Sequence, residues 1–318
     1  MSQQLDLEYL NRGLERFREA REIMLARLKS SSHERPETPS QLVLYPELQN
    51  VATVEFPVGE AANEIWVRQY TPAVSPKAVV VWIHGGAFVL GDLDMQEADW
   101  ASRALCVRGF EVFSLDYRKV SPEVHFPAPN EDIRAGWKLA FAAATAKSIP
   151  IYLGGASAGA AFAAAQVKYL LSEDLPIPER LALVYPVVHP LLPTPTEEQR
   201  LAAENLPERD LFDDQVMAGM HYMYAGSIAN MSNPLAFGGV GEVAGFPPTF
   251  ILNSEHDMLR PSGEYFGQQL TESGVEVLVA TEYGSRHGQL DQPENPFGQK
   301  SLARLIAWFE GQSPLLDT

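Results

Sequence analysis

Apolar residues recur at helical spacing between residues 5 and 28, and charged residues fill most of the positions between them. The residues that share this spacing are Leu7, Leu10, Leu14, Phe17, Met24 and Leu28. A repeat close to the helical period predicts an amphipathic helix over this segment. The polar, proline-bearing segment 30–39 ends it.

Beyond that helix, short β-prone runs alternate with longer helical stretches. Strands are predicted over residues 51–56, 64–70, 78–83, 111–115, 149–153, 181–185, 249–253 and 276–281. Helices are predicted near residues 93–108, 130–146, 158–172, 261–273 and 298–310. Several strand candidates are continuously apolar, which is typical of strands that helices cover on both faces. The alternation predicts a mostly parallel α/β sheet.

The stretch from residue 190 to about residue 236 interrupts this alternation with proline-rich turns and one helical piece. We interpret it as a helical cap on a single sheet domain, because no internal repeat or low-complexity tract divides the chain. Its methionine and aromatic side chains fit either a ligand pocket or core packing, and core packing is the more common role of such residues. They are Phe212, Met217, Met220, Tyr222 and Tyr224.

Acidic residues outnumber basic residues by 41 to 24, which gives a formal net charge of −17. A surface of this sign repels phosphate backbones, so nucleic acid is not an expected partner. Cys106 is the single cysteine, so neither an intrachain disulfide nor a thiolate metal cluster can form. The N-terminal residues lack the features of a secretory signal, and no apolar run is long enough to cross a bilayer. We therefore expect a cytoplasmic protein without a membrane span.

The segment Gly155-Ala156-Ser157-Ala158-Gly159 matches the pattern G-x-S-x-G. The pattern alone is weak evidence, but an apolar strand candidate leads directly into it and an alanine-rich helix candidate follows. A strand, a sharp turn and a helix form the context in which a nucleophile elbow presents a reactive serine hydroxyl. Glycines on both sides relieve crowding in such a strained turn. The alternative interpretation is an ordinary helix start without chemistry.

A serine hydroxyl is a weak nucleophile at neutral pH, so a histidine must accept its proton and a carboxylate must orient that histidine. In this architecture the acid and then the histidine follow the serine along the chain. Asp257 and His287 each follow a late strand candidate, at the sheet edge where loops converge. We predict Ser157, Asp257 and His287 as the catalytic residues. Glu255 is an alternative acid, and His256 is an alternative base.

Acyl transfer also requires hydrogen-bond donors for the oxyanion of the tetrahedral intermediate. The segment 84–88, His-Gly-Gly-Ala-Phe, follows the strand candidate at 78–83, and its glycines let the backbone approach a ligand closely. We predict that the N–H groups of Gly85, Gly86 and Ala158 form the oxyanion hole. We expect His84 to hold this loop by hydrogen bonds and not to act as a base.

Together these residues resemble the hormone-sensitive-lipase-like branch of the α/β-hydrolase superfamily, which includes bacterial carboxylesterases. Further segments similar to those of the family lie at 116–118, 122–123, 126–128, 246–249, 255–260 and 283–284. They occur in the expected order and beside the expected strands. The resemblance covers nearly the whole chain.

The resemblance implies an α/β-hydrolase fold, with a mostly parallel sheet of eight strands, helices on both faces and a helical cap. The cap would combine an N-terminal helical part, residues 1–48, with the insertion at 190–235. The core would comprise residues 49–189 and 236–318. The implied activity is cleavage of small-molecule carboxylic esters with small to medium acyl groups through an acyl-enzyme, without a cofactor or a metal.

Four positions depart from the residues that are usual in the family. Ala156 replaces an aspartate before the nucleophile, and Ala160 replaces a glycine after it. Gln289 stands where phenylalanine is usual, and Arg286 precedes the histidine. These departures leave the predicted triad intact, and they affect the support of the elbow and the polarity of the pocket.

Three alternatives to an ester hydrolase remain open at this point. The same serine chemistry permits hydrolysis of another acyl bond, such as an amide, formamide or lactone. Plant relatives on this scaffold act as non-catalytic ligand receptors, but they lack the catalytic histidine that is present here as His287. A scaffolding protein with a decayed site is the third alternative, and Ala156 is its only indication. The natural ester, the stereoselectivity and the oligomeric state, a homo-oligomer included, are not predicted.

Overall fold

Eight strands form one sheet in the computed structural model, which describes residues 6–32, 39–59, 64–206 and 213–315. The strands are β1 (Ala52–Val58), β2 (Ile65–Thr71), β3 (Ala78–Ile83), β4 (Phe110–Asp116), β5 (Ile151–Ala156), β6 (Arg180–Val184), β7 (Thr249–His256) and β8 (Val277–Arg286). Their order across the sheet is β1-β2-β4-β3-β5-β6-β7-β8. β2 pairs antiparallel with both β1 and β4, and all other neighbouring strands pair parallel.

Helices connect and cover these strands. They are α1 (Leu7–Ser32), α2 (Ser40–Leu44), α3 (Gln96–Val107), α4 (Ala128–Lys147), α5 (Ala158–Ser172), α6 (Glu197–Ala202), α7 (Asp214–Ala225), α8 (Ile228–Met231), α9 (Arg260–Glu272) and α10 (Pro296–Phe309). Short 3₁₀ helices occupy Pro46–Asn50 and Gln289–Asp291. Within the described ranges, no helix is both long and apolar enough to cross a bilayer.

Each face of the sheet carries its own apolar core, because successive residues of a strand point to opposite sides. In β3, Val79 and Val81 belong to a cluster that includes residues of α4, α5 and α9. Val80 and Trp82 belong to a second cluster, which includes residues of α3 and α10. Both sets of side chains are buried, and this explains why β3 is continuously apolar. The predicted fold class, an α/β sheet with helices on both faces, is confirmed.

All eight strands predicted from the sequence are present, and β3 has the predicted bounds. β7 and β8 run past their predicted ends at residues 253 and 281. Polar residues make up the extensions, and their backbones stay paired as far as His256 opposite Arg286. Backbone hydrogen bonds need no apolar side chains, so hydrophobicity does not reveal such pairing. The extensions carry the chain directly to Asp257 and His287.

Two glycines determine how closely α1 approaches α7. A Cβ atom on Gly219 would lie 2.0 Å from the carbonyl carbon of Gly13, and one on Gly13 would lie 2.0 Å from the carbonyl oxygen of Gln215. Backbone therefore touches backbone at this crossing, and side-chain rearrangement cannot make room for a methyl group. An ion pair between Arg16 and Asp213, 2.7 Å apart, adds to the same contact.

Two buried histidines anchor the segment that leads into and through α7. His189 Nδ1 lies 2.9 Å from Ser262 Oγ and its Nε2 lies 3.0 Å from Gln269 Oε1, while His221 Nδ1 lies 2.9 Å from the Pro190 carbonyl oxygen. Burial lowers the pKa of each imidazole to about 4, because the charged form loses its hydration. Both rings are therefore neutral in the folded protein near pH 7.

Replacement of Gly219 by alanine should destabilise the protein. Alanine gains about 1 kcal/mol of helix propensity over glycine, but overpacking of a close contact costs about 1–3 kcal/mol. Since the clash is between backbones, we expect a net loss of about 1–2 kcal/mol in the free energy of unfolding, measured by urea denaturation. Glu19→Ala, at an exposed position of α1, serves as the control and should leave the midpoint unchanged. An unchanged midpoint for Gly219→Ala would contradict the close helix contact.

The buried histidines should make the protein less stable in mild acid. Their pKa is about 4 in the folded state against an ordinary 6.5, so the unfolded state binds more protons between these values. Their contribution to the free energy of unfolding is complete above pH 6.5 and is lost as the pH falls towards 4. Each group adds a slope of up to about 1.4 kcal/mol per pH unit to the free energy of unfolding. Urea denaturation at several pH values between 7.5 and 5 gives the free energy of unfolding as a function of pH. The slope of that free energy against pH should be smaller for His221→Leu than for wild type. Equal slopes would indicate that His221 does not titrate on unfolding.

Candidate active site

Ser157 occupies the sharp turn between β5 and α5, since β5 ends at Ala156 and α5 begins at Ala158. Its backbone has φ 54° and ψ −118°, a conformation that side-chain-bearing residues rarely adopt. Its N–H group donates to the carbonyl oxygen of Val184 at 2.9 Å, which ties the turn to the end of β6. This is the strand-turn-helix arrangement that exposes the hydroxyl of a nucleophilic serine at the edge of a sheet.

The glycines on either side of Ser157 are required by close backbone approach. A Cβ atom on Gly159 would lie 2.0 Å from the carbonyl oxygen of Ile83, the last residue of β3. A Cβ atom on Gly155 would lie 2.5 Å from the carbonyl group of Gly159. Any side chain at these positions would therefore push α5 away from the sheet and move the turn that presents Ser157.

The structure brings the three residues of the predicted triad together. His287 Nε2 lies 3.0 Å from Ser157 Oγ, and His287 Nδ1 lies 2.7 Å from Asp257 Oδ2. The carboxylate can only accept, so Nδ1 carries the hydrogen and Nε2 is left to accept from the serine hydroxyl. The other carboxylate oxygen, Asp257 Oδ1, accepts the N–H of Leu259 at 2.9 Å. Asp257 follows β7 and His287 follows β8, so neighbouring parallel strands deliver both.

The alternative acid and the alternative base bind elsewhere. Glu255 Oε2 accepts the N–H of Gly284 at 2.6 Å, which braces the β7–β8 edge. His256 Nδ1 lies 2.8 Å from the carbonyl oxygen of Ala202, although its side chain borders the same cavity as Ser157. Asp257, rather than Glu255, is the acid that lies against His287.

The structure contradicts one residue of the predicted oxyanion hole. The N–H group of Gly85 donates to Glu97 Oε1, with 2.5 Å between nitrogen and oxygen, and is therefore engaged within the protein. Gly85 does not border the cavity, whereas Gly86, Ala87, Ser157 and Ala158 all do. The prediction for Gly85 is wrong because a buried carboxyl group, invisible in the local sequence, occupies its amide.

Ala87 is the residue that the sequence analysis missed in this loop. The N–H groups of Gly86 and Ala87 have no hydrogen-bond partner within the described ranges. Gly86, Ala87 and Phe88 have φ values of 112°, 53° and 66° in succession, so the chain turns sharply here. Which amide faces a ligand depends on this turn. The glycine pattern alone could not have identified Ala87, since alanine is not an expected residue at positive φ.

His84 holds the loop, as expected for a buried histidine beside two glycines. Its ring is fully buried and stacks on Tyr117 with 4.7 Å between ring centroids. Nδ1 lies 2.7 Å from the carbonyl oxygen of Gly85, and Nε2 lies 3.5 Å from Asp116 Oδ1. Lys119 pairs with Asp116, and its Nζ lies 3.4 Å from the same Nε2. His84 does not border the cavity that Ser157 and His287 line.

A cavity of about 320 Å³ opens over Ser157 and His287. Most of its wall is apolar and contains five methionines, which adapt to ligands of irregular shape. The lining residues that matter for shape are Met24, Phe88, Met95, Met217, Met220 and Met258. Met217 and Met220 thus border a ligand cavity, whereas Tyr224 stacks on Phe88 in the core with 4.5 Å between ring centroids. Tyr222 is not part of the cavity wall, and Phe212 lies outside the described residues.

Two carboxyl groups also border this cavity. Glu97 is buried, and Asp291 accepts the N–H of Glu97 at 3.1 Å. The surrounding protein and the charge of Glu97 raise the pKa of Asp291 to about 7, although the residue is open to solvent in the cavity. In the parts of the chain that the structure describes, no group of three or more His, Cys, Asp or Glu side chains is placed to hold a metal ion.

The four unusual positions have different surroundings. Ala156 and Ala160 are buried in apolar clusters on opposite faces of the sheet. Gln289 is buried too, and its Oε1 accepts the hydroxyl of Ser254 at 2.7 Å. Arg286 is exposed and borders the cavity next to His287. Only Arg286 among the four therefore contributes to the polarity of the cavity wall.

Comparison with known proteins agrees with this geometry. Residues 80–291 match a protein family whose description is alpha/beta hydrolase fold. The esterase LipI of Mycobacterium tuberculosis is 31% identical over 257 residues, which cover 77% of this chain and 76% of LipI. The carboxylesterase NlhH of the same organism is 31% identical over 278 residues, covering 85% and 82% of the two chains. The crystal structure of esterase LipW from Mycobacterium marinum superposes with a TM-score of 0.76 at 27% identity, covering 91% of this chain and 90% of LipW.

The fold and the Ser-His-Asp arrangement are those of hydrolases with a parallel sheet and a nucleophile elbow. The chain belongs to the α/β-hydrolase fold family, in the branch that resembles hormone-sensitive lipase. The family and fold predicted from the sequence are therefore confirmed.

Proposed function

We propose that the protein is a carboxylesterase that cleaves small-molecule carboxylic esters through an acyl-enzyme on Ser157. The observation that carries this proposal is the contact of His287 with both Ser157 Oγ (3.0 Å) and Asp257 Oδ2 (2.7 Å) at the floor of an apolar cavity. The names of the relatives LipI, NlhH and LipW support an esterase of the carboxylic ester class.

In the first half of the reaction, Ser157 Oγ attacks the ester carbonyl carbon while His287 Nε2 accepts the hydroxyl proton. Asp257 holds the Nδ1–H group and stabilises the imidazolium that forms. The tetrahedral intermediate collapses as His287 gives its proton to the leaving alcohol, and the acyl group stays on Ser157. Water then attacks the acyl-enzyme, with His287 as the base, and the acid is released.

The amides of Gly86, Ala87 and Ala158 are the donors that we assign to the oxyanion. All three residues border the cavity beside Ser157. Ala158 begins α5, where the helix dipole adds positive potential to its N–H group. Donors that are already in place when charge develops on the carbonyl oxygen lower the barrier without reorganisation.

We assign α1 and the segment around α7 to a cap over the site, in line with the predicted division into a cap of residues 1–48 and 190–235 and a core of residues 49–189 and 236–318. Met24 from α1 and Met217 and Met220 from α7 form one wall of the cavity. Because these two helices contact each other through Gly13 and Gly219, the wall depends on their crossing. Acyl groups of small to medium length fit a cavity of about 320 Å³.

We infer a cytoplasmic location from the single cysteine, since Cys106 is buried and reduced and the sequence offers no disulfide. The net charge of −17 disfavours nucleic acid as a partner. The partner that the site favours is a small-molecule ester.

The decisive experiment is hydrolysis of p-nitrophenyl acetate, butyrate and octanoate by wild type and by Ser157→Ala, together with labelling by a fluorophosphonate probe. We expect turnover and labelling for wild type, and a loss of about 10⁴-fold or more in kcat with no labelling for the variant. Ser172→Ala, at the far end of α5, is the matched control and should behave as wild type. A folded wild type that neither labels nor turns over any ester would overturn the proposal.

Met258 should limit the length of the acyl chain. It borders both the main cavity and a second cavity of about 90 Å³, as Asp257 does, and we propose that its side chain separates the two. Met258→Ala should join the two spaces and raise the octanoate-to-butyrate ratio of kcat/KM by about tenfold. Met258→Leu keeps most of the volume and should keep the wild-type ratio. A ratio that is the same in all three proteins would show that Met258 does not bound the acyl site.

A further inference from the structure

We propose that Glu97 is a positioning residue that holds the oxyanion loop and the His287 loop in register with Ser157. The inference rests on the proposed esterase function. Glu97 lies in the first turn of α3, and only 3% of its surface is exposed. Both of its carboxyl oxygens bind groups of other elements, so it joins parts of the site that are far apart in the sequence.

The first bond of Glu97 fixes the oxyanion loop. Oε1 accepts the N–H of Gly85, the residue before the cavity-lining amides of Gly86 and Ala87. The carbonyl oxygen of Gly85 accepts the hydroxyl of Tyr117 at 2.9 Å, so the two peptide groups on either side of Gly85 are both held. A Cβ atom on Gly85 would lie 2.6 Å from Glu97 Oε1 and 3.1 Å from Ser157 Cβ. Gly85 is therefore enclosed between the carboxyl group and the nucleophile, and a shift of Glu97 would move the loop relative to Ser157.

The second bond of Glu97 fixes the surroundings of the base. Oε2 accepts the hydroxyl of Tyr185 at 2.6 Å. Burial and the charge of Glu97 raise the pKa of Tyr185 well above its ordinary value, so its hydroxyl stays protonated and remains a donor. The ring of Tyr185 packs against the His287 ring with 4.7 Å between centroids and a tilt of 60°. The orientation of the His287 ring therefore depends on a tyrosine that Glu97 holds.

The backbone of Glu97 adds a third connection. Its N–H donates to Asp291 Oδ1 at 3.1 Å, and Asp291 ends the 3₁₀ helix that follows His287 and Gly288. The loop that carries His287 is thus tied to the start of α3, the helix that carries the Glu97 side chain. Two elements that must meet the same reacting carbonyl, the oxyanion donors and the general base, share one buried anchor.

Such an anchor should affect the transition state more than the ground state, because oxyanion donors act on charge that develops during the reaction. The test compares wild type, Glu97→Leu and Glu97→Gln in p-nitrophenyl butyrate hydrolysis and in inhibition by an alkyl trifluoromethyl ketone. The hemiketal of this ketone with Ser157 places its oxygen where the oxyanion forms. A residue with only a structural role would change the melting temperature without a selective change in binding of this analogue.

We expect Glu97→Leu to lower kcat by about 100-fold, to raise the Ki of the ketone by a similar factor and to leave KM within about threefold. Glu97→Gln should recover part of the loss, because its amide oxygen still accepts from Gly85 while its NH₂ group faces the Tyr185 hydroxyl. Glu111→Gln is the matched control. Glu111 is also buried, but it lies at the amino end of β4 and pairs with Lys147, and its variant should keep wild-type kcat and Ki.

If Glu97→Leu does not fold, Glu97→Gln alone tests whether Glu97 is a positioning residue. Wild-type kcat and Ki in Glu97→Gln, or losses in kcat without a rise in Ki in either folded variant, would overturn the assignment while the esterase function stands. An inactive wild type would overturn both proposals, and the fluorophosphonate labelling of wild type distinguishes that outcome from failure of the Glu97 assignment alone.

Discussion

The turn at Ser157 exists because Gly155 and Gly159 have no side chains. The start of α5 therefore lies directly against the last carbonyl group of β3 and against the end of β5. With Gly159 against the Ile83 carbonyl and Gly155 against the Gly159 carbonyl, no side chain separates helix from strand. This packing holds Ser157 at φ 54°, a strained value that only a well-supported turn maintains. The position of the hydroxyl, of the Ala158 amide and of the α5 dipole all follow from it.

The parallel strands bring the remaining site residues to Ser157. β3, β5, β6, β7 and β8 run in the same direction, so the residues that follow them emerge at one edge. The loop after β3 brings the oxyanion donors, the turn after β5 brings Ser157, and the ends of β7 and β8 bring Asp257 and His287. The polar extension of β7 and β8 matters here, because paired backbone up to His256 and Arg286 leaves little freedom to the acid and the base that come next.

The sequence predicted the fold and the approximate arrangement of the site because both depend on local patterns. Continuous apolar runs identify buried parallel strands, and G-x-S-x-G between a strand and a helix identifies a turn of one kind. The oxyanion loop was predicted at residues 84–88 with Gly85 as a donor, since nothing in those residues shows that Glu97, twelve positions later, accepts the Gly85 N–H. Likewise, the division of Met217 and Tyr224 between cavity wall and core depends on how α7 crosses α1, which is a tertiary contact.

The charges around the site show why a buried carboxyl group can be tolerated next to an oxyanion. Negative charge at Glu97 would oppose negative charge on the substrate oxygen if it were bare, but the Gly85 amide and the Tyr185 hydroxyl both donate to it. Such donors spread the charge and lower its effect at a distance. The ring of Tyr185, whose hydroxyl donates to Glu97, packs against the His287 ring with 4.7 Å between centroids. Ala156, at the end of β5 before the nucleophile, lies in an apolar cluster with Trp82 and Val184. The elbow of this protein is therefore supported by packing. The buried carboxyl group of Glu97 bonds to the oxyanion loop and to Tyr185, and the Glu97 N–H bonds to the loop that carries His287.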